Sequence, residues 1–247
     1  MKVYLNSITG IEDAIRTMYM SKRTWTKEWD DHMVQVVNTV TSRNGMPRPT
    51  LMESDYGKEF LDWINKLIKW GSKHITMLRF IDLSVTVEGL HRGAVDDLDS
   101  HSKRMENRII RSSTRLATYE TEEMSDWYKD KTIPTDMALS MLSIDVPEKM
   151  VVDGKTYVKS TNGYIREDLK DNKDVKRGLY MLSLPMTFTF KINITELAHV
   201  YKERGSKEGG AHGTAAPELQ LMMEDLISQV ESWYPQINRE LLLKIVN

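Results

Sequence analysis

The sequence predicts an α+β chain, with helices packed on a modest, mostly antiparallel sheet. Three observations carry that expectation. Residues 81–88 and 186–194 alternate apolar and polar side chains, the period-2 pattern of half-buried strands. Stretches at helical apolar spacing surround them. The dipeptide Asp153-Gly154 between Val151-Val152 and Tyr157-Val158 is a hairpin turn signal, and Asn162-Gly163 marks a further turn.

Taken in order, residues 11–20 and 28–42 predict two helices joined by a short polar turn, and the breaker-rich 44–53 predicts a loop. Ser54 is placed to cap a helix carrying Phe60, Ile64, Leu67 and Ile68, which Gly71 closes. After the strand at 81–88, Gly89 reads as a break. Leu90, Ala94, Leu98, Met105 and Ile109 then follow helical spacing, with His101 on the same stripe. If that helix continues, Arg104, Arg108, Arg111 and Arg115 share another face of it. The second strand, Met186 to Ile194, leads into a short helix that Thr195 can cap and that turns Leu197, Val200 and Tyr201 inward. Residues 205–213 (GSKEGGAHG) read as a mobile loop. Pro217 suits the first turn of a helix bearing Leu219, Met222, Met223, Leu226 and Val230, and a short helix at about 237–246 ends the chain. With no internal repeat and no clean linker, 1–247 reads as a single domain with an insert at about 120–170 that carries no usable motif.

Of 247 residues 40% are hydrophobic, enough for a sizeable core. A formal net charge of −2 gives no reason to expect bulk binding to nucleic acid or membrane, so any anion site must come from local arginines. No apolar run is long enough to span a bilayer and no leader pattern is present, so a cytoplasmic, soluble protein is expected. The complete lack of cysteine removes disulfides, cysteine-ligated metal and any thiol nucleophile. Six histidines show no metal-ligand spacing, so no metal site is expected.

Individual polar residues each have an ordinary reading beside a functional one. The arginine stripe is either a solvated basic face or, with Ser112, Ser113 and Thr114 beside it, a phosphate site. His74 follows a helix end, His101 would be a hydrogen-bonded core histidine, and Asn193 falls on the polar strand face and should be exposed. Arg204 ahead of glycines would complement a helix C-terminus, and Asp96-Asp97 would face water.

In combination and in order, these residues resemble the flavin-dependent thymidylate synthases, the ThyX family. Arg177, the strand FTFKIN ending at Asn193, His199 where an asparagine is common, Arg204 and Ala216-Pro217-Glu218 follow the family's C-terminal series without gaps. Upstream, KHITMLRF (73–80) is similar to the GHESxxEH segment: His74 and Thr76 match, while Arg79 and Phe80 replace its acidic residue and second histidine. The RHRxxSxN signature lands on Ser100-His101-Ser102 through Asn107, keeping the central histidine and the asparagine but not the arginines. Ser113-Thr114-Arg115 then stands for the terminal SxR. A second register sets Glu106-Asn107-Arg108 on RHR, and both stay open. The likeness covers about 60–118 and 175–235.

The resemblance implies a homotetramer with FAD held between subunits and dUMP methylated to dTMP. Methylenetetrahydrofolate would donate the carbon and NADPH would reduce the flavin. It implies Arg204 as the catalytic residue at the uracil carbonyl edge, and Arg111, Ser113, Arg115 and Arg177 around the nucleotide. His74, Thr76, Arg79, His101, Asn107, Arg108, Asn193 and His199 would line the FAD site, with Arg104, Arg108 or Arg111 replacing the missing guanidinium groups. A related flavoenzyme that hydroxymethylates a pyrimidine nucleotide, or a non-catalytic nucleotide- or nucleic-acid-binding paralogue, fits the same residues.

Overall fold

A computed structural model describes residues 1–101, 108–111, 139–160, 163–171, 184–205 and 217–246. Its principal sheet has four antiparallel strands in the order β1 (Lys2–Thr9), β2 (Asp82–His91), β7 (Pro185–Asn193), β3 (Arg108–Arg111). The two central strands each show one apolar face: Leu83, Val85 and Val87 of β2 and Met186, Phe188, Phe190 and Ile192 of β7 are buried. The opposite face is polar, with the Thr86 and Thr189 hydroxyls 3.0 Å apart and Asn6 donating to Thr86. An antiparallel sheet covered on one side only produces this alternation.

Helices α1 (Ile11–Ser21), α2 (Lys27–Val40) and α3 (Asp55–Gly71) add Ile15, Met18, Met33, Val36, Phe60 and Leu67 to the core. Each such buried side chain contributes roughly 1.5–3 kcal/mol relative to exposure. Ser54 caps α3 as the sequence predicts, its hydroxyl accepting from Gly57 N at 3.1 Å. Gly10 begins α1 at φ 81°, and a Cβ there would stand 1.8 Å from the Phe80 carbonyl oxygen. Only glycine allows that approach.

Several expectations are corrected. Gly89 does not end its strand: at φ 83° it forms a bulge, and β2 runs on to His91. Leu90 is therefore a strand residue, and helix α4 (Arg92–His101) starts later than expected. The expected helix does not continue through 108–111, because Arg108 to Arg111 form β3, paired with β7. The arginines thus share no helical face. β1 was missed because a bulge between Leu5 and Ser7 shifts its alternation out of phase.

The 120–170 insert includes a separate antiparallel sheet of β4 (Lys149–Val152), β5 (Lys155–Ser160) and β6 (Gly163–Arg166). Asp153 and Gly154, at φ 49° and 73°, make its first turn, as the dipeptide predicts. Ser160 pairs with Gly163 across the second turn, whose Asn162 lies outside the described residues. The C-terminal third closes the core with α5 (Ile194–Val200), α6 (Pro217–Trp233) and α7 (Arg239–Val246). No helix among the described residues is long and apolar enough to cross a membrane.

Candidate functional site

Two stretches more than a hundred residues apart in sequence meet where β2 begins and β7 ends. Asp82 pairs with Asn193, and Ile194 N donates to the Ile81 carbonyl at 3.0 Å. The 3-10 turn Ile75–Phe80, which leads into β2, packs against α5, which leaves β7. The strand pairing therefore brings His74, Thr76 and Arg79 beside the element carrying His199.

His74, Thr76 and Arg79 are exposed, and the His74 ring stacks on Trp70 with centroids 5.8 Å apart. Lys22 Nζ lies 4.2 Å from the centroid of the same indole. Burial, together with the nearby Lys66 ammonium, pulls the Lys22 pKa below its ordinary value. His199 is half-buried in the last turn of α5. Asn193, expected on the polar face, is instead 4% exposed. It caps α5, its Oδ1 accepting from Glu196 N at 2.9 Å and from the Thr195 hydroxyl at 2.6 Å. Thr195 is thus a partner of the cap rather than the cap itself.

Beyond α5 the helix widens into a π turn, Tyr201–Gly205, which holds Arg204. Such turns are frequent at functional sites because they re-aim side chains. Tyr201 OH donates to Glu224 Oε1 of α6 at 3.0 Å, and Lys202 Nζ donates to the Val246 carbonyl at 3.1 Å. A Cβ on Gly205 would come 2.8 Å from Met223 Cβ, so glycine lets the turn seat on α6. The Arg204 side chain is 16% exposed, with Nε 3.4 Å from Oδ2 of Asp97 on α4. Asp97, expected to face water, is half-buried and faces the candidate catalytic arginine.

Sequence reasoning also missed a buried tie beside these elements. Glu218 in the first turn of α6 accepts from His91 N at 3.0 Å and contacts the His91 ring nitrogen Nδ1. Both side chains are almost fully buried. The Ala216-Pro217-Glu218 series flagged Glu218, but nothing in the sequence marked its partner.

Of the other expected site residues, His101 is the last residue of α4, while Arg108 and Arg111 sit opposite Lys191 and Phe188 in the β3–β7 ladder. The described ends of the two signature registers therefore fall in different elements, His101 in α4 and Arg108 in β3. Arg104, Asn107, Ser113, Arg115, Arg177 and the glycine-rich loop beyond Gly205 lie outside the described residues. A cleft of about 720 Å³ opens on the insert sheet, lined by Lys155, Thr156, Arg166, Glu167, Asp168 and Lys170. Arg166 pairs with Asp168 and Glu167 with Lys149, so its charges largely satisfy one another. Among the described residues no cluster of histidine and carboxylate side chains could hold a metal ion.

No protein-family model matches the chain, and no curated protein is similar to it in sequence. In three dimensions the class is plain: this is a divergent ThyX-like fold, and 107 solved chains match it. A flavin-dependent thymidylate synthase ThyX from Helicobacter pylori, complexed with FAD and dUMP, superposes at TM-score 0.57 and 14% identity, covering 97% of this chain and 99% of that one. A second H. pylori ThyX structure with FAD and dUMP gives 0.56 at 14% identity, covering 98% and 99%. The UMP/dUMP methylase PolB from Streptomyces cacaoi, bound with 5-Br dUMP, gives 0.54 at 11%, covering 96% and 92%. At these identities the fold is what is shared.

Proposed function

We propose that the protein is a flavin-dependent thymidylate synthase that reductively methylates dUMP to dTMP, with methylenetetrahydrofolate as carbon donor and NADPH as reductant. The observation that carries this reading is the junction at Ile81 and Ile194. It joins the KHITMLRF segment to the strand and helix leading to Arg204, within a ThyX-like fold.

The donor set suits FAD. The exposed, stacked Trp70–His74 pair offers π faces, and Thr76 and Arg79 on the same turn offer hydroxyl and guanidinium donors for ring edge and pyrophosphate. His101, Asn107, Arg108, Asn193 and His199 complete the proposed cofactor set, and Arg111, Ser113, Arg115 and Arg177 the nucleotide set. When bound, the flavin supplies the reducing equivalents. The chain's own residues bind, orient and polarise. Arg204, mostly withdrawn from water and facing Asp97, places a fixed cation where negative charge develops on the uracil carbonyl edge. No side chain can attack the ring as a thiolate, because the sequence has no cysteine. A route that needs no protein nucleophile suits such a chain. The proposed assembly is a homotetramer of single ThyX-like domains with sites between subunits.

A second reading, a flavoenzyme that modifies the pyrimidine differently, is favoured by the serines where the RHR arginines would stand. Protein reconstituted with FAD and supplied with dUMP, methylenetetrahydrofolate and NADPH should yellow and form dTMP. A hydroxymethylated product would transfer the assignment to the second reading. Failure to retain flavin would favour the non-catalytic nucleotide-binding paralogue.

A further inference from the structure

The two sheets treat their open edges differently. On β1, the Gln229 side-chain amide of α6 imitates a neighbouring strand: Leu5 N donates to its Oε1 and its Nε2 donates to the Val3 carbonyl, both at 2.9 Å. An edge satisfied in this way cannot recruit another strand. The outer edge of β4 has no such cover among the described residues. Val151 is 70% exposed, Val152 44% and Met150 37%, so both faces of this edge strand present apolar side chains to water. A three-stranded sheet with a bare apolar edge invites strand addition.

The ladder fixes which backbone groups are available. Lys159 N donates to the Glu148 carbonyl at 2.9 Å, and residues directly opposite alternate between bonded and non-bonded pairs. Glu148, Met150 and Val152 therefore turn their amides toward β5, and Lys149 and Val151 turn theirs outward.

We propose that β4 pairs antiparallel with β4 of a second copy of this chain, about a two-fold axis at Val151, joining the two insert sheets into one of six strands. The occupant is a second copy because the strand is complementary to itself in this register. Val151 meets the partner subunit's Val151, and Met150 meets the partner subunit's Val152. Lys149, whose ammonium contacts Glu167 within its own subunit, comes opposite the partner subunit's Asp153. Apolar groups cover apolar groups on both faces, and opposite charges face each other at the ends. An isologous contact of this kind closes at two copies.

The natural lack of cysteine makes the test direct. A bonded antiparallel pair places its Cα atoms about 5.5 Å apart, within disulfide reach. Under mild oxidation full-length Val151→Cys should convert to a disulfide-linked dimer, and Ser160→Cys, on the central strand, should stay uncrosslinked. In parallel, Val151→Lys sets like charges opposite one another at the axis and should halve the sedimenting mass of whatever oligomer the wild type forms. Because Val151 is largely exposed, that variant should keep the wild-type circular dichroism. Equal crosslinking at 151 and 160, or an unchanged mass for a folded Val151→Lys, would overturn the proposal.

Discussion

Glu218 illustrates how one buried carboxylate can fix two elements. Its Oε2 accepts from the backbone N–H of His91 at 3.0 Å and also contacts the ring nitrogen Nδ1 of the same residue. Standing in the first turn of α6, the carboxylate also gains from the helix dipole. Removing it strands two buried nitrogens, each costing about 1–3 kcal/mol when left unpaired. Glu218→Ala should therefore lower unfolding free energy by about 3 kcal/mol in urea titrations. Glu218→Gln keeps an acceptor oxygen and should cost no more than about half of that. Equal losses for the two would mean that side-chain volume, not hydrogen bonding, holds the junction.

At the level of elements, the cap on α5 is the testable joint between strand and helix. Asn193 closes β7 and caps the next helix with one oxygen. Asn193→Ala should cost about 1 kcal/mol, and Asn193→Asp should retain most of that stability. Thermal unfolding of the three proteins checks the order. This joint also shows what the sequence could and could not reveal. The strand was legible because Phe188, Phe190 and Ile192 alternate without interruption, and α3 because Ser54 precedes a regular apolar stripe. The exposure of Asn193 was misread because alternation describes a strand's interior, whereas its last residue answers to the helix that follows. Bulges at Gly89 and near Asn6 hid a strand end and a whole strand, since one inserted residue inverts the phase of every later side chain. The arginine stripe failed for a related reason: spacings of three and four are helical only if the backbone is, and the ladder with β7 claimed residues 108–111 for the sheet. Of the candidate site, His74 and Arg204 are residues that the motif resemblance points to. Asp97 and His91 are not, because their significance comes from packing between distant elements.

Across the whole molecule, the sheet directs its apolar face to helices on one side, so the elements that follow β2 and β7 converge there. Asp97 arrives on α4, Arg204 on the π turn after α5, and α6 braces that turn through Glu224 and Met223. The Arg204–Asp97 contact thus ties the candidate catalytic cation to an element outside its own C-terminal segment. At 3.4 Å and partly exposed, the pair adds little stability, on the order of 1 kcal/mol or less once solvent screening is counted. Its value lies in aim, because a guanidinium held in one orientation pays its reorganisation cost before the reaction begins. Removal of a donor at a developing charge lowers turnover by about a hundredfold or more, so Arg204→Ala should do so in the dTMP assay. Asp97→Asn keeps the donor but loosens its aim, and should lower kcat by about tenfold with little change in thermal stability. Residues acting as a unit are non-additive, so the double variant should be no slower than Arg204→Ala alone. Losses that multiply in the double variant would mean that the two side chains act independently and that Asp97 does not position the arginine.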